Sequence, residues 1–120
     1  MNIQIHRSNG AEIAEVVANQ YIINNTGDGT DLVGNLYYQG FDKVILHAKN
    51  ITPQFFDLST GIAGEILQKF STYRVQLAIV GDFSVYSSKS LQDFIFESNK
   101  GKQVNFVKSL TDALKILSVA

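Results

Sequence analysis

The stretch Thr52-Pro-Gln-Phe-Phe-Asp-Leu-Ser-Thr-Gly-Ile-Ala-Gly-Glu-Ile-Leu-Gln-Lys-Phe70 decides the fold. Its first two residues are typical of a helix start, because Thr favours the N-cap and proline favours the first helical position. Apolar residues then recur at helical spacing and predict one buried stripe, formed by Ile62, Ala63, Ile66, Leu67 and Phe70. The sequence therefore indicates a helix that opens at Thr52 and packs this stripe against a core.

The densest polar cluster of the stretch precedes the apolar stripe. It consists of Asp57, Ser59, Thr60 and Gly61. Such side chains and free amides are what a helix N-terminus offers to an anion or to a protein partner. A phosphate on Ser59 or Thr60 would add about −1.5 to −2 charges and could act as a switch. The alternative is plain capping, which stabilises a helix by about 1 kcal/mol.

Strands and helices alternate along the rest of the chain. Periodicity and turn residues predict strands over residues 1–7, 11–17, 43–47, 74–80 and 103–107. Further helices are predicted from Asp28 or Thr30 to about Gln39, from residues 87–90 (with Ser90 and Asp93 at capping-box spacing) to Gly101, and from Ser109 onward. The order β-β-α-β-α-β-α-β-α predicts one α/β domain over residues 1–120, with a mixed sheet that is parallel through its last three strands.

The composition excludes several classes of function. The net charge is −1 over 120 residues, so there is no global basic field for nucleic acid. Cysteine is absent from the sequence, which excludes disulfides, thiol chemistry and cysteine metal sites. No apolar run approaches the ~20 residues of a membrane span, and the first residues alternate instead of forming an apolar signal core. We therefore expect a cytoplasmic protein without nucleic-acid or membrane partners.

A second polar group follows the strand predicted over residues 74–80. It is the run Gly81, Asp82, Phe83 and Ser84. Ligands of open α/β sheets bind outside the carboxyl ends of the strands, and the Asp57–Gly61 cluster should open onto the same edge. The two groups therefore predict one shallow binding site. The alternative is a turn in which Asp82 caps its own loop.

Polar residues also collect at the opposite edge of the predicted sheet. Tyr73 and Arg74 come just before a strand, and Glu97, Asn99 and Lys100 end the next helix. The topology places all of them on one side of the domain. They predict either an Arg74–Glu97 ion pair that closes this edge or a polar rim that binds a partner.

The sequence predicts no catalytic residue, metal site or cofactor. His6 and His47 are its only histidines, and both fall in predicted strands. A metal site or a general base would need convergent partners, and no spacing motif supplies them. Phosphate-binding loops, dinucleotide fingerprints and nucleophile elbows are also absent from the sequence.

Adjacent aromatic residues indicate exposed apolar surface. Phe55-Phe56 and Tyr37-Tyr38 are neighbours, and neighbours on a helix or strand cannot all point inward. Some aromatic surface should therefore be exposed, which favours a protein interface or a homodimer.

Six short segments carry a resemblance to a known family. They are Phe55-Phe56-Asp57-Leu58, Ala63-Gly64-Glu65, Gln68-Lys69-Phe70, Tyr73-Arg74, the run 78–83 and the run 97–101. Over about Asp31 to Leu117 the chain resembles a bacterial family described only as a domain of unknown function, number 4180. That resemblance covers most of the chain and implies no activity.

The element order is similar to that of the STAS domain. This is the fold of anti-sigma-factor antagonists and of the cytoplasmic tails of sulfate transporters. Those proteins carry an Asp-Ser-Ser-Gly-like motif at the place where this chain has Phe56-Asp57-Leu58-Ser59-Thr60-Gly61. The resemblance implies a STAS-like fold with Ser59 or Thr60 as phosphate acceptor, although Leu58 separates Asp57 from the two hydroxyls.

These patterns favour a non-enzymatic regulatory module that contacts a protein partner through the start of the helix after the third strand. A second candidate is a small-molecule or nucleotide-binding domain that uses the same carboxyl edge. A third is a hydrolase or transferase with Asp57, Glu65 or Asp82 as the base, which would require a deep pocket around a carboxylate with a perturbed pKa.

Overall fold

A computed structural model describes residues 1–118 of the chain. Within them, five strands are β1 Asn2–Ser8, β2 Ala11–Val17, β3 Lys43–His47, β4 Gln76–Val80 and β5 Val104–Val107. The α-helices in this part of the chain are α1 Thr26–Tyr38, α2 Ile62–Thr72, α3 Lys89–Ser98 and α4 Leu110–Leu117. The element order predicted from the sequence is confirmed.

The five strands form one mixed sheet in the order β1-β2-β3-β4-β5. β1 and β2 are an antiparallel hairpin, whereas β2 to β5 are parallel neighbours. The predicted α/β class and the parallel pairing of the last three strands are therefore confirmed. Parallel pairing also extends one strand further, to β2.

Side chains of the strands alternate between two faces of the sheet. The first face packs against α1, α2 and α3, and its core includes Ala14, Val44, Leu46, Leu77, Ile79, Phe106, Leu32, Val33, Leu36, Ala63, Ile66, Phe70, Leu91 and Ile95. The second face packs against α4, and its core consists of Ile13, Ile45, Ala78, Val107, Ala113 and Leu117. Three helices therefore cover one face, and among the described helices one covers the other.

The helix predicted to open at Thr52 begins ten residues later, at Ile62. Thr52 caps a 3₁₀ turn over Pro53–Phe56 instead, and Gly61 at φ 78° separates this region from α2. The tighter turn buries both Phe55 and Phe56, whereas adjacent positions of an α-helix point in different directions. The buried stripe is confirmed, because Ala63, Ile66 and Phe70 of α2 are buried.

One other helix start differs from its predicted position, and the predicted capping box of α3 is wrong although its start lies within the predicted residues 87–90. α1 begins at Thr26, because the Asn25 side chain accepts a hydrogen bond from the Asp28 N–H at 2.9 Å. α3 is capped by Ser88, which accepts from the Leu91 N–H at 3.2 Å, and not by Ser90. The predicted start of α4 is confirmed, since Ser109 accepts from the Asp112 N–H at 3.1 Å.

Two strands begin later than predicted. β4 begins at Gln76, because Arg74 takes a left-handed conformation with φ 58° at the end of α2. β5 begins at Val104. The Gln103 side chain donates to the Val75 carbonyl at 2.8 Å, at the amino ends of these two strands.

The segment before α1 is held by the segment after β3. Ile23 forms an isolated parallel bridge with Ile51. Asn50, which is buried, donates to the carbonyls of Ala18 at 3.0 Å and Gln20 at 2.9 Å. These contacts give the region before α1 a fixed place that periodicity alone does not predict.

The outer edge of β5 is covered by a side chain. The Gly81 N–H donates to the Val107 carbonyl at 2.9 Å, so the alternate residue Phe106 points its N–H and carbonyl away from β4. Asn99 meets both groups, because its Oδ1 accepts from the Phe106 N–H at 2.8 Å and its Nδ2 donates to the Phe106 carbonyl at 3.2 Å. The Asn99 amide therefore occupies the position of a further strand at this point.

Candidate functional site

The loop after β3 contains a tight turn built on Asp57. The Asp57 Oδ1 accepts from the Ser59 N–H at 3.1 Å and from the Ser59 hydroxyl at 2.7 Å. Both side chains are exposed. The turn therefore fixes an exposed carboxylate at the carboxyl edge of the sheet.

Thr60 holds the same loop from the other side. Its hydroxyl lies 2.9 Å from the Gln54 carbonyl and 2.9 Å from the Asp57 carbonyl, and it accepts from the Ile62 N–H at 3.3 Å. Gly61, and neither hydroxyl residue, occupies the N-cap of α2. The hydroxyls of Ser59 and Thr60 are thus engaged within the loop, at its exposed surface.

The loop after β4 repeats the turn around Asp82. Its Oδ1 accepts from the Ser84 N–H at 3.1 Å and from the Ser84 hydroxyl at 2.5 Å. These hydrogen bonds, with a smaller contribution from the charge of Lys108, lower the pKa of the Asp82 carboxyl below its ordinary value. Both loops therefore share one pattern, Asp-x-Ser, in which the serine closes onto the carboxylate.

Gly81 lets the β4 loop leave the sheet close to the β3 loop. A β-carbon on Gly81 would lie 2.6 Å from the Ala48 Cβ, which is closer than side chains tolerate. Glycine at this position therefore permits the two loops to run side by side.

Aromatic rings fill the space where the two loops meet. Phe56, next to Asp57, contacts Phe83, next to Asp82, at a centroid distance of 5.7 Å. Phe56 also stacks on Tyr86 at 5.2 Å, and Phe83 meets Phe106 edge-on at 5.2 Å. The rings join the two Asp-x-Ser turns into one surface, which we call the twin-turn edge: residues 56–61 and 81–86. The role of its residues in binding stays a prediction.

A cavity of about 310 Å³ lies on the α3 and β5 side of this edge. Its polar lining includes Asp82, Ser84, Gln92, Asn99 and Lys108. Gln92 already donates to the Phe83 carbonyl at 2.8 Å. The cavity therefore brings an acidic and a basic side chain to one concave surface.

The residues predicted for the opposite edge have separate contacts. Tyr73 stacks on Tyr37 at 4.9 Å. Glu97 pairs with Lys100 at 3.1 Å, and no ion pair joins Arg74 to Glu97 among the described residues. The predicted Arg74–Glu97 pair is therefore wrong. Asn99 lines the cavity beside Asp82. These contacts do not decide whether the residues form a rim that binds a partner, which stays a prediction.

Three titratable side chains meet on the second face of the sheet. Glu15 of β2 accepts from His6 Nε2 of β1 at 2.8 Å and from His47 Nε2 of β3 at 2.7 Å. Glu15 is 6% exposed, and both rings are half-buried. Each carboxylate oxygen serves one ring, so the cluster ties three neighbouring strands together.

The environment keeps Glu15 ionised. Its burial would by itself raise the pKa of the carboxyl, because the charged form loses water. The hydrogen bonds from His6 and His47 and the charges of the two rings outweigh burial and hold the pKa of Glu15 below its ordinary value. Since an ionised carboxylate only accepts hydrogen bonds, both Nε2 atoms donate.

Within residues 1–118, no group of three or more His, Cys, Asp or Glu side chains has a geometry that could hold a metal ion. The sequence does carry one signal for the cluster. Glu15 lies in the apolar run Ile13–Val17, and a charge in a buried strand requires partners. Naming those partners requires the strand order and the register.

The architecture defines the protein first as an α/β domain whose β1–β2 hairpin precedes a parallel β-α repeat. Residues 8–117 match the family described as "Domain of unknown function (DUF4180)". The chain belongs to this family, as its six sequence segments predict.

Other comparisons add no named relative. No curated protein and no solved structure matches the chain. The similarity to STAS domains therefore stays a prediction. None of the helices in residues 1–118 is long and apolar enough to cross a membrane.

Proposed function

We propose that this protein is a non-enzymatic interaction module that binds a protein partner through the twin-turn edge. The observation that carries the proposal is the repetition of one Asp-x-Ser turn at two adjacent loops. In each loop, serine holds the carboxylate in a fixed and exposed position. Two pre-organised negative charges on adjacent loops suit a basic segment of a partner.

The space between the turns supports contact instead of catalysis. Phe56, Phe83 and Tyr86 pack together there, with centroid distances between 5.2 and 5.7 Å. A catalytic carboxylate needs a pocket that excludes water around a reacting group. Asp57 and Asp82 are instead exposed at the rim of packed rings, where a partner's side chains can reach them.

Phosphorylation of Ser59 would regulate this surface. The Ser59 hydroxyl donates to Asp57 at 2.7 Å, and a phosphate ester cannot donate that hydrogen bond. The phosphate would also place about −1.5 to −2 charges beside the carboxylate, which repels it. Modification of Ser59 therefore opens the turn around Asp57 and changes the surface that a partner meets.

The test uses charge removal that keeps the turns. In Asp57→Asn/Asp82→Asn, the amide oxygen still accepts from the serine N–H, so each turn persists while its charge is lost. The matched control is Asp31→Asn/Asp42→Asn, which removes two exposed carboxylates elsewhere. Partners captured from the native host's lysate are compared by quantitative mass spectrometry.

Capture of a partner by the three forms of the protein tests whether the twin-turn edge is the contact surface. A protein that the wild type and the control capture, and that the Asp57→Asn/Asp82→Asn variant loses, supports the twin-turn edge as the contact surface. Equal capture by all three forms overturns it. Ser59→Asp should lower the affinity of the same partner, and an unchanged affinity would contradict the switch.

The second candidate, small-molecule binding, is favoured by the cavity that Asp82 and Lys108 line. A ligand that binds the folded state raises the melting temperature, and the rise grows with the ratio of ligand concentration to dissociation constant. A panel of nucleotides and inorganic anions should therefore raise the melting temperature of the wild type. A rise that Lys108→Gln abolishes and Asp57→Asn preserves would favour this candidate over protein binding.

A further inference from the structure

We propose that β1 pairs antiparallel with β1 of a second copy of this chain, joining two sheets across a two-fold axis at Ile5. The first support is the state of the β1 edge. β1 has β2 on one side and no strand on the other. Within residues 1–118, no backbone hydrogen bond outside the β1–β2 ladder is recorded for residues 2–8.

The two edges of the sheet differ in how they are protected. β5 has four residues, and the Asn99 amide fills the outward positions of Phe106. β1 has seven residues, contains no proline, and is regular along its whole pairing with β2. A long, regular and uncovered edge strand is a template for another strand, which proteins otherwise blunt or cover.

Alternation along β1 restricts how two copies can pair. Residues that lie opposite each other in an antiparallel pair must project from the same face. When the helices of both copies lie on the same side of the joined sheet, an odd-numbered residue must oppose an odd-numbered one. Among such registers, a two-fold axis at Ile5 lets all seven residues of β1 take part.

The residues that become opposite in this register are compatible. Ile5 is 44% exposed and would pack against its own equivalent. Ile3 would lie opposite Arg7, whose alkyl stem can cover it. Gln4 would lie opposite His6. Like charges do not face each other in this register, and Ile5, the one large apolar residue exposed on β1, buries part of its exposed surface.

Self-pairing therefore explains the edge better than pairing with an unrelated strand. Ile5, the most exposed apolar residue of β1, lies at the centre of the strand. A two-fold axis through it matches polar residues with polar residues at two pairs of positions, Asn2 with Ser8 and Gln4 with His6, and leaves Ile3 opposite Arg7.

The experiment measures the oligomeric state by sedimentation velocity over a range of micromolar concentrations. The wild type should shift from monomer to dimer as its concentration rises, since an edge contact below about 1,200 Å² gives a weak association. Ile5→Lys places two ammonium groups opposite each other at the axis. It should weaken the dimer by a factor of about ten or more.

A matched control lies in the same hairpin. Val17 of β2 has a similar exposure, at 37% against 44% for Ile5, and lies away from the open edge. Val17→Lys makes the same apolar-to-lysine change and should leave the dimer within about a factor of two of wild type. Circular dichroism confirms that both variants are folded before their masses are compared.

Mixing complementary variants tests the axis itself. Ile5→Glu should also be monomeric, and an equimolar mixture of Ile5→Lys and Ile5→Glu should form a heterodimer, because opposite charges then meet. Restoration of a dimer only in the mixture supports the proposal. A wild type that stays monomeric, a dimer that tolerates Ile5→Lys, or equal weakening by Val17→Lys overturns it.

Discussion

The two faces of the sheet are covered in different ways. Three helices close the first face with a continuous apolar core. On the second face, α4 covers a smaller apolar cluster, and the neighbouring strands carry the Glu15–histidine cluster instead. A face that few helices cover can therefore be closed by polar contacts between strands.

The largest effect is expected on the first face. Phe70 has no exposed surface, and its loss leaves a cavity that the surrounding helices and strands cannot fill. Phe70→Ala should lower the free energy of unfolding by about 3–5 kcal/mol. Urea denaturation measures it. Phe96→Ala is the control, since Phe96 is 64% exposed and its truncation should change stability by no more than about 0.5 kcal/mol.

A smaller loss is expected where α1 crosses α2. A β-carbon on Gly29 would lie 2.3 Å from the Ile66 Cδ1, so Gly29→Ala forces the buried Ile66 side chain to move. The free energy of unfolding should fall by about 1–3 kcal/mol.

Gly34 of the same helix provides the matched control. Its β-carbon would meet nothing within 4 Å, so Gly34→Ala should stabilise α1 by about 0.5–1 kcal/mol. Thermal unfolding of the two variants checks the opposite signs. If both substitutions change the free energy of unfolding in the same direction, close packing between α1 and α2 does not explain the need for glycine at position 29.

The smallest effect at neutral pH is expected on the second face. Glu15→Gln keeps the shape of the side chain and one acceptor oxygen, and the second ring can take its other tautomer to accept from the amide. The loss should be about 1 kcal/mol, the net value of one hydrogen bond. A loss as large as that of Phe70→Ala would mean that the polar cluster supports the second face as strongly as apolar packing supports the first.

Acidic pH should weaken the polar cluster of the second face and leave the apolar core of the first face unaffected. The pKa of Glu15 is lower in the folded protein than its ordinary value of 4.5, so its ionised form stabilises the fold at higher pH. That contribution is complete above pH 4.5 and is lost as the pH falls through the lower pKa of the folded state. Urea midpoints should therefore decline more steeply in acid for the wild type than for Glu15→Gln. Parallel declines of the two urea midpoints would exclude Glu15 as the source of the acid sensitivity.

Local patterns predicted the elements well wherever chain neighbours decide the structure. The apolar runs over β3 and β4 and the Ser109 cap of α4 follow from a few adjacent residues. The start of α2 does not follow from its neighbouring residues. Thr52 and Pro53 are a valid capping pair, but they open a 3₁₀ turn, and Gly61 in a left-handed conformation delays the α-helix.

The Glu15 cluster and the twin-turn edge show where sequence reasoning reaches its limit. Common placement of the loops after β3 and β4 follows from parallel strand order, and the sequence predicts it. The convergence of His6 and His47 on Glu15 depends on β1 lying beside β2 and β2 beside β3, with a defined register. The pairing of β2 with β3 is non-local, and residue periodicity contains no information about which strand is the neighbour.

The Asn99 amide on β5 has a further consequence for assembly. A sheet with two open edges can add copies at both ends and grow into a fibre. Because Asn99 occupies the outward hydrogen bonds of Phe106, the β5 edge is blocked at this residue, whereas β1 has no strand on its outer side. Two copies paired through β1, as proposed above, would leave only their β5 edges exposed, and Asn99 would oppose further growth there. One side chain can thus decide whether association through sheet edges stops at a dimer or continues into a polymer.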